Sequence, residues 1–171
     1  MLLNVAALAT SCSAALLPQS AKLDPKACMG TWYVQHQKPA LKFLESGARN
    51  GKEVYTWNDD TDGFSVEYTL NRKDAPDDKI TTVRQRGWVK SNAEWQVAPV
   101  IGGFRPPLVR LPFIILDCEP DSHMVCSGGL ESWMYLMTRE QQPDAALVDS
   151  LLSKVRAAGF DMAAVEPMAQ G

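Results

Sequence analysis

Histidine and cysteine are scarce in this chain, and their scarcity excludes several kinds of site. The sequence contains two histidines, His36 and His123, and four cysteines, none of them in a Cys-x-x-Cys pair. Zinc sites take most of their ligands from closely spaced residues of these two types, so we expect no metal site. The Gly-x-Ser-x-Gly pattern of a nucleophilic serine is also missing. The sequence therefore predicts no catalytic residue.

Basic stripes and long apolar segments are missing as well. The formal net charge is −3, and lysines and arginines are scattered along the chain. Without a cluster of cations to neutralise phosphates, we expect no nucleic acid partner. After residue 21 no run of roughly eighteen apolar residues occurs, so this part of the chain contains no predicted transmembrane helix.

Residues 1–21 differ from the remainder because they carry no charge and are rich in alanine, leucine and serine. We interpret them as a targeting leader, or alternatively as an apolar N-terminal extension. Residues 22–171 have a length that suits a single domain. A leader would place the protein outside the cytosol or in an organelle lumen, with secreted, periplasmic and plastid locations all open.

Short segments of alternating apolar and polar residues fill the middle of the chain. The predicted strands cover residues 31–37, 53–58, 64–71, 80–90, 93–98, 113–118, 123–128 and 132–139. Eight strands at this spacing, joined by hairpin turns, indicate an all-β fold, an antiparallel up-and-down barrel. Pro143 and Gly159 bracket one C-terminal helix with a one-sided apolar stripe, which we expect to pack on the barrel wall.

The alternation also predicts which side chains face inward. It is clearest in residues 64–71, where Glu67 falls on the outer face and this strand supplies no inward carboxylate. In the first strand, His36 shares the face of Trp32 and Val34, so it could reach the cavity; the alternative is a polar residue near the rim of the barrel. The residues expected to line a ligand cavity are Val34, His36, Phe64, Val66, Tyr68, Trp95, Val97 and Tyr135.

Gly30-x-Trp32 at the first strand and Arg139 at the end of the last strand form the most informative motif. A tryptophan ring covered by a guanidinium closes one end of a small barrel and keeps the arginine charge satisfied. Gly30 leaves room for close approach of other atoms. We therefore expect Gly30, Trp32 and Arg139 to form a closed end.

With these residues the sequence resembles the lipocalins, over roughly residues 27–170. It is most similar to the group containing bacterial outer-membrane lipocalins, apolipoprotein D and plant temperature-induced lipocalins. The matching stretches are Met29–Tyr33, Leu116–Asp117, His123–Cys126, Trp133–Arg139, Gly159–Asp161 and Gln170. The resemblance implies a small lipophilic ligand in the barrel, such as a fatty acid, lysolipid, sterol or carotenoid-like pigment, with no required cofactor.

The cysteines add one expectation about covalent structure. Cys28 precedes the first strand, and the turn that follows Cys118 belongs to the same end of the barrel. We expect a Cys28–Cys118 disulfide, with Cys126 as the alternative partner of Cys28. A disulfide favours an oxidising compartment.

Two other functions stay open at this point. A lipocalin fold with a filled barrel would suit a structural subunit of a larger membrane assembly. Its contacts with that assembly, or with a membrane surface, would involve the N-terminus and the Gly102–Pro112 segment. The second alternative is an enzyme similar to violaxanthin de-epoxidase, against which the outward position of Glu67 counts.

Overall fold

The computed structural model describes residues 23–100 and 110–171, in which nine strands and two α-helices occur. The strands are β1 (Gly30–Lys38), β2 (Arg49–Asn58), β3 (Gly63–Asn71), β4 (Ile80–Val89), β5 (Glu94–Val100), β6 (Leu111–Glu119), β7 (His123–Ser127), β8 (Met134–Thr138) and β9 (Glu166–Pro167). The helices are α1 (Lys42–Glu45) and α2 (Ala145–Ala157). The expected leader at 1–21 and residues 102–109 of the expected contact segment lie outside the described residues.

The first eight strands form one closed antiparallel barrel, which confirms the predicted fold class. Each strand pairs with the next along the chain, and β1 closes the barrel by pairing with both β8 and β2. Tyr33 is the residue of β1 at which the partner strand changes, since it pairs with Lys52 of β2 and with Thr138 of β8. The alternation of apolar residues explains this closure, because it gives every strand one face to bury.

The strand connections define two ends of the barrel. The turns after β2, β4 and β6 lie at the end where β1 begins, together with a short 3-10 helix at Pro25–Cys28; this is the closed end. The connections after β1, β3, β5 and β7 lie at the opposite, open end. Among the described residues no helix is long and apolar enough to cross a membrane.

Helix α2 packs on the outside of the barrel, as expected from its apolar stripe. The carboxylate of Asp144 caps its first turn by accepting from the backbone amide of Ala146. Leu151 and Val155 are buried in a second apolar cluster with the outward side chains of β7 and β8. The helix thus covers the wall without entering the barrel.

A β-bulge in β1 corrects the expected position of His36. The pairing with β8 shifts by one residue between Val34 and His36, so His36 pairs with Leu136 and Gln37 pairs with Tyr135. Leu136 packs toward α2, outside the barrel. Because a bulge exchanges the two faces of a strand, the expectation that His36 faces the cavity is wrong, and Gln37 takes the inward position.

The C-terminal segment fills a gap in the barrel wall between β1 and β2. Beyond Tyr33 these strands separate, and β9 pairs with the second half of β1. Met168 is buried against Gly51, at which a Cβ atom would collide with the methionine sulfur. The amide of Gln170 donates to the carbonyl oxygens of Val34 (2.7 Å) and Gly51 (3.0 Å).

Candidate functional site

The closed end is sealed by Trp32 and Arg139. The indole of Trp32 is fully buried, and its Nε1 donates to the carbonyl oxygen of Cys28 at 2.8 Å. The guanidinium carbon of Arg139 lies 3.6 Å from the centroid of this ring. This distance is well within the range of roughly 6 Å over which a cation and an aromatic ring attract.

Arg139 is held in place by backbone carbonyl groups. Its Nε donates to Pro120 (2.7 Å), its Nη1 to Thr31 (2.9 Å) and its Nη2 to Met29 (2.8 Å). Gly30 has a φ of +99°, and a Cβ atom there would lie 3.1 Å from Nη1. Both the backbone conformation and the close approach therefore favour glycine at this position.

The structure brings Cys28 and Cys118 together beneath this seal. Their sulfur atoms lie 3.7 Å apart, and both are thiols. Cys126 is buried as a separate thiol in β7, where it pairs with Ile115 and Tyr135. Of the two expected partners of Cys28, Cys118 is the one in contact with it; the disulfide itself remains a prediction.

The barrel interior is lined by the expected apolar residues. Glu67 lies on the outer face, where its carboxylate pairs with Arg84 at 3.0 Å. The wall residues that are buried in one inner cluster are Val34, Phe64, Val66, Tyr68, Trp95, Val97 and Tyr135. All residues of the expected set except His36 thus share one interior.

Aromatic rings form a continuous chain through this interior. Phe64 contacts Trp95 with 4.9 Å between centroids, and Trp95 stacks on Phe113 at 5.5 Å. Phe113 contacts Trp133 at 5.4 Å, and Trp133 contacts Tyr135 at 5.3 Å. Phe113 and Trp133 were not among the expected wall residues, although Phe113 begins a predicted strand.

Glu53 and its neighbour Tyr55 are inward-facing polar residues that the sequence analysis missed. Glu53 is 2% exposed, and its Oε2 accepts a hydrogen bond from the Tyr55 hydroxyl. The signal was present, because Gly51, Glu53, Tyr55 and Trp57 alternate along β2. The barrel therefore contains an inward carboxyl group. It lies on β2, next to β3, the strand whose inner and outer faces the sequence predicted.

A second inward carboxyl group, that of Glu45, comes from α1 at the open end. Its Oε2 accepts from the backbone amide of Ala40 (2.9 Å) and from the hydroxyl of Tyr135 (2.8 Å). The amide of Gln37 donates to the carbonyl oxygen of Glu45 at 2.8 Å. The buried polar side chains of this region, called here the inner polar set, are Gln37, Glu45, Glu53, Tyr55, Tyr68 and Tyr135.

These two carboxyl groups have no buried cation beside them among the described residues. Within residues 23–100 and 110–171 no lysine or arginine is buried. Burial, together with the charge of Glu45, raises the pKa of Glu53 to about 7, against the hydrogen bond from Tyr55. Burial likewise raises the pKa of Glu45, against the hydrogen bond from Tyr135.

Among the described residues, the exposed large apolar side chains lie at the open end. Phe43 in α1 is 77% exposed, which is unusual for a phenylalanine. The large apolar side chains that are exposed among the described residues are Leu41, Phe43, Ile80, Leu111 and Leu130. All of them lie in, or at the edges of, the connections at the open end.

No three His, Cys, Asp or Glu side chains of the described chain approach closely enough to hold a metal ion.

Comparisons with known proteins match this architecture. The family model described as a lipocalin-like domain covers residues 23–170. Lobster apocrustacyanin A1 has a TM-score of 0.64 at 9% identity over 86% of this chain and 80% of its own. The cockroach allergen Per a 4 has a TM-score of 0.64 at 12% identity, over 88% and 90%. Insecticyanin from the tobacco hornworm Manduca sexta has 0.63 at 11% identity, over 87% and 82%. Identities this low show the fold alone, and no curated protein matches the chain.

Proposed function

Because this chain belongs to the lipocalin-like family, we propose that its barrel binds a small lipophilic molecule. The observation that carries the proposal is the interior itself, an aromatic wall with a sealed floor and a few polar groups toward the open end. Transfer of apolar ligand surface into such an interior contributes roughly 25 cal/mol per Å², before the entropic costs of association. The family consists generally of binding proteins, and our proposal includes no catalytic step.

We assign the contacts with the ligand to the inner wall. Trp95 and Tyr68 would supply flat apolar surface, and Tyr135 would supply a polar edge next to the open end. The exposed apolar side chains around the open end suit entry of the ligand from a membrane surface. The proximity of Cys28 and Cys118 supports a location in an oxidising compartment.

A matched pair of substitutions on β4 tests the binding role. Val83 faces the inner cluster, whereas its neighbour Thr82 is exposed on the outer face. Val83→Trp should fill space in the barrel and weaken the binding of the neutral dye N-phenylnaphthylamine by about tenfold or more. Thr82→Trp should leave the affinity unchanged. Equal affinities in the wild type and in both variants, or no dye binding at all, would refute the proposal.

The chain of aromatic rings supports a second candidate function. Rings in contact from β3 to β8 fill much of the described interior, which is the arrangement expected for a structural subunit with a filled barrel. Native mass spectrometry of protein from its source, followed by organic extraction, distinguishes the two candidates. A bound lipophilic molecule supports the carrier, and a stable complex with other proteins but without cargo supports the subunit.

A further inference from the structure

The inner polar set contains unpartnered polar atoms and two carboxyl groups that no buried lysine or arginine of the described residues neutralises. Glu53 and Tyr68 are directly opposed on β2 and β3, and the ring of Tyr68 lies 5.9 Å from that of Tyr135. Tyr135 in turn donates to Glu45. The two carboxyl groups therefore face one region of the barrel. The charge of Glu45 raises the pKa of Glu53, and the charges of both raise the pKa of the Tyr68 hydroxyl.

Two buried atoms of this set have no hydrogen-bond partner. The hydroxyl of Tyr68, a residue that is 1% exposed, is unpartnered, although it faces the charges of both Glu45 and Glu53. The side-chain oxygen of the fully buried Gln37 is unpartnered as well. Since a buried polar group without a partner destabilises the fold, these atoms mark positions where a ligand group can complete the network.

We propose that the barrel selects a lipophilic ligand whose polar end donates hydrogen bonds and carries no negative charge, an ammonium or a hydroxyl, and that it discriminates against fatty-acid anions. This inference rests on the proposed binding function and narrows its ligand class. An ammonium group would neutralise Glu53. A hydroxyl would donate to Glu53 and accept from Tyr68, which gives the hydroxyl of Tyr68 its missing partner.

A carboxylate ligand fits the same place badly. Its oxygens are acceptors only, so it can pair with the hydroxyl of Tyr68 but not with Gln37 Oε1 or with an ionised glutamate. It would also add a third negative charge to a region in which no lysine or arginine of the described chain is buried. Like charges in a poorly solvated site repel strongly, so the anion should be excluded.

Three ligands that differ only in the polar end provide the test. Dodecylamine, dodecanol and dodecanoate should be compared by displacement of N-phenylnaphthylamine at about pH 8, above the pKa of Glu53. We expect the amine and the alcohol to bind at least about tenfold more tightly than the carboxylate. Dodecanoate binding as tightly as the amine would overturn this inference and leave the binding function intact. Failure of all three ligands and of the dye would overturn both.

Substitutions then identify the groups responsible. Glu53→Gln removes the charge but keeps the shape, and it should reduce the preference for amine over carboxylate by about tenfold. The matched control is Glu67→Gln, on the outer face of the next strand, which should not change the preference. Tyr68→Phe should weaken dodecanol and leave dodecylamine unchanged. An unaltered ligand ranking in both Glu53→Gln and Tyr68→Phe would refute the assignment to this set.

Discussion

The closed end and the inner polar set each hold ionisable side chains, the half-buried Arg139 in one and the buried Glu45 and Glu53 in the other, but the partners of Arg139 are the more complete. There the guanidinium of Arg139 lies over an aromatic ring and donates to backbone carbonyl groups on three sides. In the inner polar set, Glu45 and Glu53 receive hydrogen bonds from tyrosines and the backbone, and no lysine or arginine in the described parts of the chain is buried beside them. A hydrogen-bond network in which every group has a partner stabilises the fold. A network with missing partners can be completed by a ligand.

The largest effect should come from breaking the closed end. Trp32→Ala should lower the free energy of unfolding by about 3–5 kcal/mol, because it removes a fully buried indole and exposes Arg139. The control is Trp88→Ala, on the outer face of β4, where Arg110 lies 4.3 Å over the ring. That change should cost only about 1 kcal/mol. Denaturant unfolding of both variants measures the difference, and a loss below 1 kcal/mol at Trp32 would mean that the seal is not structural.

Oxidation should strengthen the closed end further. A hydrogen bond from Cys118 lowers the pKa of the Cys28 thiol, and the charge of Arg139 lowers it further, against the effect of burial. A lowered thiol pKa favours the reactive thiolate. We expect a Cys28–Cys118 disulfide that stabilises the fold by roughly 2–4 kcal/mol. Peptide mapping under native conditions tests this pairing, and a Cys28 that alkylates as a free thiol in the protein from its source would contradict it.

The inner polar set should destabilise the protein as the pH rises. Glu53 has a folded-state pKa of about 7, above its ordinary value of 4.5, so the folded state holds this proton more tightly than the unfolded chain. The free energy of unfolding should therefore fall by up to about 3 kcal/mol between pH 4.5 and 7 from this group, and then level off. Glu53→Gln should flatten this dependence, whereas Glu67→Gln should retain it. A wild-type protein with the same stability at both ends of this pH range would contradict the assignment.

The smallest effects compare two tyrosines of the same set. Tyr135→Phe removes the hydrogen bond to Glu45 and should destabilise the fold by about 1–2 kcal/mol. Tyr68→Phe removes a hydroxyl without a partner, so it should be neutral or stabilise the fold by up to about 1 kcal/mol. Equal losses in the two variants, measured by thermal and denaturant unfolding, would show that Tyr68 has a partner in solution.

Alternation along the sequence predicted the barrel well because most of its strands bury one face; β7 and β8 bury both, one of them against α2. The pattern at residues 64–71 gave the inward position of Phe64, Val66 and Tyr68, all of which are buried. The same rule would have identified Glu53 if the faces of the second strand had been assigned.

Other features of the site depend on local irregularity and had no such signal. The bulge that exchanges His36 and Gln37 leaves the apolar pattern of β1 unchanged, so its position cannot be derived from periodicity. Glu45 belongs to a helix of four residues, too short to show a period. Its inward position depends on tertiary contacts with Tyr135 and Gln37, which only a three-dimensional structure provides.

The C-terminal segment has a consequence for the order of events during synthesis. Met168 and Gln170 occupy the gap between β1 and β2, yet they follow every barrel strand and α2 along the chain. A nascent chain whose barrel strands have left the ribosome still has a gap between β1 and β2 until residues 166–170 emerge. Completion of the wall therefore follows the synthesis of all eight barrel strands and of α2.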